Sequence, residues 1–332
     1  MTNRTVSEIG EHALISRITA RLAMPSWVVI GPGDDAAVIE PERGALDVLT
    51  TDAVVDGVHF DTAFVPPEAI GHRALAVNLS DLAAMGAMPR AALLSFVLPG
   101  QLAVAQVDGI VDGLLALAAT HRVALIGGNI TRSPGPLMID VTAIGSVKKR
   151  RILTRDGARP GDEVYVTGSI GGAVMGLRML QSGSDPGSRI PDPVERYLRP
   201  TPRVRAGMLL GRHRAATACM DLSDGLADGL RQIAAASNVG ITVDAESIPF
   251  ADGVLDFHRS RGDAPVTAAL AGGDDYELLF TTRPTRRGRL RSVRSQLGDL
   301  PITRIGVVTK SSVVVRTPEG ERELPAGFEH FR

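Results

Sequence analysis

Apolar positions along this chain recur with two periods, one helical and one strand-like, and the two trade places throughout its length. Residues 5–23 set Ile9, Leu14, Ile15 and Ile18 on one face, which predicts an amphipathic helix. WVVI (27–30), AAVIE (36–40) and DVLTTDAVV (47–55) are apolar runs closed by Gly, Pro or Asp, and read as strands. The stretch 66–86 opens on Pro66-Pro67, which the first helical turn tolerates. It reads as one long helix with Ala74, Val77, Asn78 and Asp81 at helical spacing and Asp81 in mid-helix. AALLSFVLP (91–99), VALIGG (123–128) and LMIDVTAIGSV (137–147) read as strands, with an Ala/Leu/Val-rich helix over 102–120.

The charge cluster KKRR (148–151) lies between two apolar strands and is the expected hinge, giving domains 1–148 and 149–332. After it, EVYVTG (163–168) predicts a strand that runs through SIGGA into a helix over 171–181. Residues 182–194 are Ser/Gly/Pro-rich and read as a flexible surface loop, a candidate lid. Thr201-Pro202 is placed to cap a helix over 202–213. The strands ATACMDLS and GITVD flank a helix over 224–238, for which Ser223 is a candidate N-cap. AALAGGDDYELLFTT reads as loop then strand, and short strands follow around 302–309 and 312–316. Because strands often arrive in pairs, mixed sheets packed with helices are expected, an α/β (α+β) organisation rather than one parallel doubly wound sheet.

Composition narrows the classes. The chain has 332 residues, 44% hydrophobic and 22% charged, as a globular protein with two ordinary domains would. A net charge of −1 without a long basic run gives nucleic-acid binding no support. The apolar stretches are interrupted well before the roughly 20 residues that span a bilayer, so no membrane association is expected. The polar N-terminus lacks the apolar core of a signal peptide. The single Cys219, set in ATACM, leaves no intrachain disulfide and fits a reducing cytoplasm.

Charge enters the picture most sharply at five Asp-bearing stations beside apolar runs. They are Asp34-Asp35 in GPGDDAAVI, Thr50, Thr51, Asp52 and Asp56 in LTTDAVVDGVHF, Asp81 in AVNLSDLAAMGA, Asp221 and Asp224 in MDLSDGLADGL, and Asp274-Asp275 in AGGDDYELLF. No Lys or Arg lies inside these segments. Carboxylates near apolar surface are costly unless their charge is met, and hard oxygens in clusters suit a hard cation such as Mg²⁺ holding phosphates. Taken singly, an Asp pair in a turn is ordinary hairpin chemistry and a lone His59 is ordinarily structural. Asp81, in an apolar helix, is harder to explain. Two Gly-rich turns, Gly127-Gly128-Asn129 after VALI and residues 168–172 before a helix, are backbone cradles suited to phosphate oxygens. Neither is a Walker loop, and Arg155 in LTRDGARPGD is the best-placed cation.

The ordered set GPGDDAAVI, LTTDAVVDGVHF, AVNLSDLAAMGAMP, IGGN-TR, LTRDGARPGD, LRPTPR, MDLSDGL and AGGDDYELLFT closely resembles thiamine-monophosphate kinase, from about residue 25 to the tail GFEHF. That family is related to aminoimidazole ribonucleotide synthetase and selenophosphate synthetase. The resemblance implies two mixed α/β domains: an N-terminal ATP/Mg-binding and dimerisation domain, and a C-terminal domain completing the active site of a cytoplasmic homodimer. It implies transfer of the ATP γ-phosphoryl group to thiamine monophosphate, giving thiamine diphosphate, assisted by several Mg²⁺ ions. By motif position, metal-binding roles fall on Asp35, Thr50, Thr51, Asp52, Asp81, Asn129, Asp221 and Asp224, with Asp52, Asp81 and Asp224 as the catalytic core. Nucleotide contacts fall on Gly128, Asn129, Arg155 and Ser223, and substrate contacts on His59, Asp274 and Phe328.

Two positions depart from the commoner pattern. Asn129 stands where the family usually has Asp, which keeps an oxygen but removes a charge. Asp274 stands where Glu is frequent. The alternatives are a related ATP-dependent synthetase, of which selenophosphate synthetase is disfavoured by the absence of any early Cys or Lys, and a non-catalytic ATP-binding sensor. The carboxylate stations fall three before the hinge and two after it, so one composite site is expected.

Overall fold

Burial alternates residue by residue over residues 92–99 of the strand Met88–Pro99, and this strand is the one on which the first half of the chain is assembled. The computed structural model describes residues 4–183 and 192–327. Its contacts divide into two units, Met1–Leu82 with Met88–Lys148, and Ala83–Ala87 with Lys149–Arg332.

In the first unit the expected helix over 5–23 is two helices, α1 (Val6–Ile9) and α2 (Glu11–Thr19), because Gly10 at φ 78° leaves the helical path. Strands β1 (Val28–Ile30) and β2 (Val38–Ile39) form a small antiparallel pair. The main sheet contains β3 (Leu46–Val55), β4 (Met88–Pro99), β5 (Ala124–Ser133) and β6 (Met138–Val147) in the order β3-β6-β4-β5, with β4–β5 parallel and the rest antiparallel. One face of this sheet carries Val54, Leu94, Phe96, Ile139 and Val141, all buried. They join Ile70, Leu75 and Leu79 of α3 (Pro67–Ala84) and Ile110 and Leu114 of α4 (Val104–His121) in the core. On the other face Trp27, Val28 and Ile39 pack on Ala91, Ala124 and Ile126.

In the second unit a seven-stranded sheet runs β13-β12-β9-β11-β7-β10-β8. Its strands are β7 (Glu163–Thr167), β8 (Ala218–Asp221), β9 (Gly240–Asp244), β10 (Leu278–Thr282), β11 (Ile302–Thr309), β12 (Val313–Thr317) and β13 (Gly320–Glu323). Only β12–β9 is parallel. Leu226, Leu230 and Ile233 of α8 (Leu226–Ser237) bury against Val164, Met220, Ile241 and Leu279 of the sheet. The remaining helices are α5 (Gly172–Gln181), α6 (Asp192–Leu198), α7 (Val204–His213), α9 (Val254–Ser260), α10 (Pro265–Ala271) and α11 (Arg287–Leu297). Mixed sheets packed with helices in both units match the expected class.

Several local expectations are corrected. The loop expected over 182–194 gives way at Asp192 to α6, whose first turn holds Asp192 and Glu195, favourable at a helix N-terminus; residues 184–191 lie outside the described residues. Thr201-Pro202 does not cap α7, which starts at Val204 after Arg203. Ser223 is not the cap of α8 either: Gly225 holds that position without any side-chain cap. The loop expected before GGDDYELLF is partly helix, since Pro265 opens α10 in its first turn.

Candidate active site

Strand alternation sorts the Thr50-Thr51-Asp52 run before any ligand is considered. On β3, Thr50 and Asp52 share the face of buried Val54, whereas Thr51 faces the opposite way and is exposed. The Thr50 hydroxyl donates to Asp81 Oδ2 at 2.5 Å. Asp81 sits in the last turn of α3 rather than in mid-helix, next to carbonyl ends that disfavour a carboxylate. Thr50, Asp52 and Asp81 therefore form one oxygen-rich group along the edge strand of the sheet.

Thr51 belongs to a second group on the other face. Its hydroxyl lies 3.1 Å from Asp140 Oδ1 and 3.1 Å from Thr142 Oγ1, both on β6. In register, Asp140 stands opposite Ser95, and Ser95 opposite Asn129. Asp140 and Thr142 escaped the sequence reading, although the period-2 pattern of MIDVTAIG set them on the face away from Ile139 and Val141. Gly127-Gly128-Asn129 is corrected as well. It is a continuous part of β5 rather than a turn, with a register shift against β4 between Ala92 and Leu93. A Cβ on Gly128 would stand 1.9 Å from the Leu94 carbonyl oxygen, so the glycine serves strand approach.

Asp34 and Asp35 are exposed, and Asp34 Oδ1 accepts the N–H of the adjoining Asp35 at 2.8 Å, a bond local to this exposed turn. His59 Nδ1 accepts the Val55 N–H at 3.1 Å and closes the turn that ends β3. Asp56 accepts the Thr62 N–H and hydroxyl, both at 3.0 Å, and shapes the same turn.

In the second unit two motifs lie side by side. Leu222 N–H donates to Glu277 O (2.8 Å), Tyr276 N–H to Leu222 O (2.9 Å) and Asp274 N–H to Ser223 O (2.7 Å). MDLSDGL and GGDDYEL are thus laced together beyond the ends of β8 and β10, with buried Asp221 at the strand end and half-buried Ser223, Asp224 and Asp274 after it. The Ser223 hydroxyl lies 3.3 Å from Asp224 Oδ2. Arg155 reaches the same helix: its Nη1 donates to Gln232 Oε1 at 2.6 Å, and Gln232 donates to Asp228. The tail returns here, with Gly327 beside Asp228 and the Asp224 carbonyl; Phe328 lies outside the described residues.

Asp275 departs from the sequence picture of a carboxylate in want of a cation. Its Oδ2 accepts the Gly171 N–H at 2.7 Å and its Oδ1 the Ala173 N–H at 3.4 Å, at the N-terminus of α5. The glycine turn 168–172, expected as a cradle for a ligand phosphate, is filled by the chain's own carboxylate. Burial, opposed by these two N–H groups, pushes the Asp275 carboxyl up to about 7. Cys219 is buried, and burial pushes its thiol up, which leaves it an inert core residue.

The assembled donors are hydroxyl and carboxylate oxygens, the set that suits a hard divalent cation rather than zinc or copper. Among the described residues, no three His, Cys, Asp or Glu side chains converge closely enough to hold a metal alone.

Residues 33–147 match the model of the AIR synthase related protein N-terminal domain, and residues 159–317 that of the C-terminal domain. A thiamine-monophosphate kinase of Bacillus subtilis (strain 168) is 36% identical over 331 residues, covering 98% of this chain and 100% of the relative. The crystal structure of a thiamine-monophosphate kinase from Stenotrophomonas maltophilia K279a has a TM-score of 0.81 at 41% identity, over 91% of this chain and 95% of the other. A solved structure of AaThiL complexed with AMPPCP and TMP has a TM-score of 0.77 at 32% identity, with all of both chains covered.

Proposed function

The chain belongs to the thiamine-monophosphate kinase family, and from that premise we propose that it transfers the γ-phosphoryl group of ATP to the phosphate of thiamine monophosphate, forming thiamine diphosphate. The observation that carries this reading is the likeness over all of the chain to AaThiL, which was solved with an ATP analogue and TMP together.

The acceptor is already an anionic phosphate oxygen, so no residue has to remove a proton from it. What remains for the protein is to align donor and acceptor for in-line transfer and to offset their charge. Thr50, Asp52 and Asp81 in the first unit, and Asp221 and Asp224 in the second, would hold Mg²⁺; Asp35, Thr51 and Asn129 complete the proposed metal set. Bound Mg²⁺ would supply charge neutralisation between the phosphate groups. Gly128, Asn129, Arg155 and Ser223 are proposed for the nucleotide, and Asp274, His59 and Phe328 for the thiamine moiety. In this reading the first unit is the ATP/Mg-binding and dimerisation domain, and the second completes the active site.

A homodimer is supported by apolar side chains that the first unit leaves in the open, Leu49 at 66%, Val29 at 60% and Leu46 at 46% exposure. No described helix is long and apolar enough to cross a membrane. A cytoplasmic location is part of the proposal, as the resemblance implies.

The test is a chromatographic assay for thiamine diphosphate after incubation with ATP, Mg²⁺ and thiamine monophosphate. Stoichiometric ADP and thiamine diphosphate are expected. Absence of that product from folded protein, or ATP turnover supported by a synthetase substrate instead, overturns the assignment.

A further inference from the structure

Three segments to which the family resemblance gives no role meet at two carboxylates, half-buried Asp275 and buried Glu277. The glycine turn 168–173 donates Gly171 and Ala173 N–H groups to Asp275. Thr167, at the end of β7, donates its hydroxyl to Glu277 Oε2 at 2.6 Å and accepts the Leu278 N–H at 2.8 Å. Arg203, the last residue of LRPTPR, grips both oxygens of Glu277, with Nε at 2.6 Å from Oε2. Glu277 is only 1% exposed, and such a buried charge persists only when it is fully paired.

The residues between these anchors are held in unfavourable backbone. Asp274 sits at φ 67° and Tyr276 at φ 49°, the left-handed region that non-glycine side chains avoid. Each such residue costs energy and persists only where its surroundings determine it. Asp275 and Glu277 supply that determination: their side chains are fastened inward while their neighbours' N–H groups bond Ser223 and Leu222.

We propose that Asp275 and Glu277 are positioning residues, an internal splint fastened to the α5 N-terminus and to Arg203, which fixes Asp274 and the laced 222–224 segment in a single conformation. Asp275 touches no substrate; it acts through Asp274. The proposal rests on the kinase reading for its catalytic consequence, but its structural content is independent of the substrate.

The test uses the full chain with Asp275→Ala and Asp275→Asn, the latter keeping shape and one oxygen acceptor. For Asp275→Ala, KM for thiamine monophosphate should rise at least tenfold, with KM for ATP within twofold. Hydrogen exchange at the Asp274 and Tyr276 amides should quicken at least tenfold. Asp275→Asn should recover part of each loss and leave exchange at those amides at least threefold faster than in the parent. A folded Asp275→Ala with both KM values within twofold overturns the proposal. So does a raised substrate KM with unchanged exchange at 274 and 276, since that marks direct contact. If the Ala variant does not fold, Asp275→Asn decides: exchange at those amides within twofold of the parent overturns the splint, and at least threefold faster exchange supports it. Should the parent make no thiamine diphosphate, the kinase reading fails while the exchange measurement still judges the splint.

Discussion

Replacing Gly128 by alanine separates two roles for the Gly-Gly-Asn run, a ligand-facing backbone and a strand contact. The new methyl would stand 1.9 Å from the Leu94 carbonyl oxygen and 2.9 Å from its carbon. That is about an ångström inside the closest approach real side chains make. The obstacle is main chain of β4, paired to β5 on one side and β6 on the other, so it has no rotamer to change. Relief requires a local parting of the strands. One or two ladder bonds at about 1 kcal/mol net each, with about 1–3 kcal/mol for overpacking, give a loss of about 2–5 kcal/mol. Gly127→Ala is the internal control, because its methyl meets only the Leu93 Cδ2 end at 3.1 Å. Relief there by a rotamer shift, offset by the poor fit of glycine to a strand, should leave stability within about 1 kcal/mol. At about 2–4 °C per kcal/mol for a unit of this size, Gly128→Ala should lower the first thermal transition by about 4–20 °C and Gly127→Ala by about 4 °C at most. Calorimetry of the two variants measures this. Equal transition temperatures, with the effect of Gly128→Ala confined to ATP affinity, would refute the strand-contact argument.

Asp52→Asn, Asp81→Asn and Asp224→Asn should each lower kcat at least about 100-fold, the scale of losing one preorganised charge-stabilising group, with melting temperature little changed; near-normal turnover in all three purified variants would sink the assignment. Excess chelator should stop turnover and added Mg²⁺ restore it, whereas chelator-resistant product formation would remove the metal from the scheme. The Asp275 carboxyl, raised to about 7, gives the folded chain a proton that the unfolded chain releases near pH 4. Stability from this group is complete below about pH 4 and is lost as pH rises through about 7. The melting temperature of the parent minus that of Asp275→Asn should therefore fall between pH 5 and pH 8, and a flat or rising difference would contradict the assigned burial.

Much of the fold was legible because period-2 burial is written plainly in β3, β4 and β6, and because α3 keeps an apolar face throughout. What misled was local. Glycines at 127 and 128 read as a turn, although here they allow close parallel pairing, a long-range requirement that no window along the chain can see. Helix α11 went unread because only Leu290 and Val293 of its eleven residues are buried, too sparse a stripe to show a period. At the site, adjacent letters suggested adjacent ligands, but the pleat sends Thr51 away from Thr50 and Asp52. The inward pull on Asp275 had no local signal either, since its partners stand about a hundred residues earlier.

Five residues complicate the simple partition of the chain. Ala83–Ala87 group with the second unit, although the chain reaches them before β4 is made. Ala83 and Ala87 are fully buried, and the Met85 carbonyl accepts the Leu153 N–H at 3.2 Å. During synthesis this piece leaves the ribosome early and must wait, docked or exposed, until the partners that bury it emerge. The second unit is consequently not a cassette: a gene fragment starting at Lys149 would encode it with one buried strip missing, and exchange of halves between relatives would have to carry that strip along.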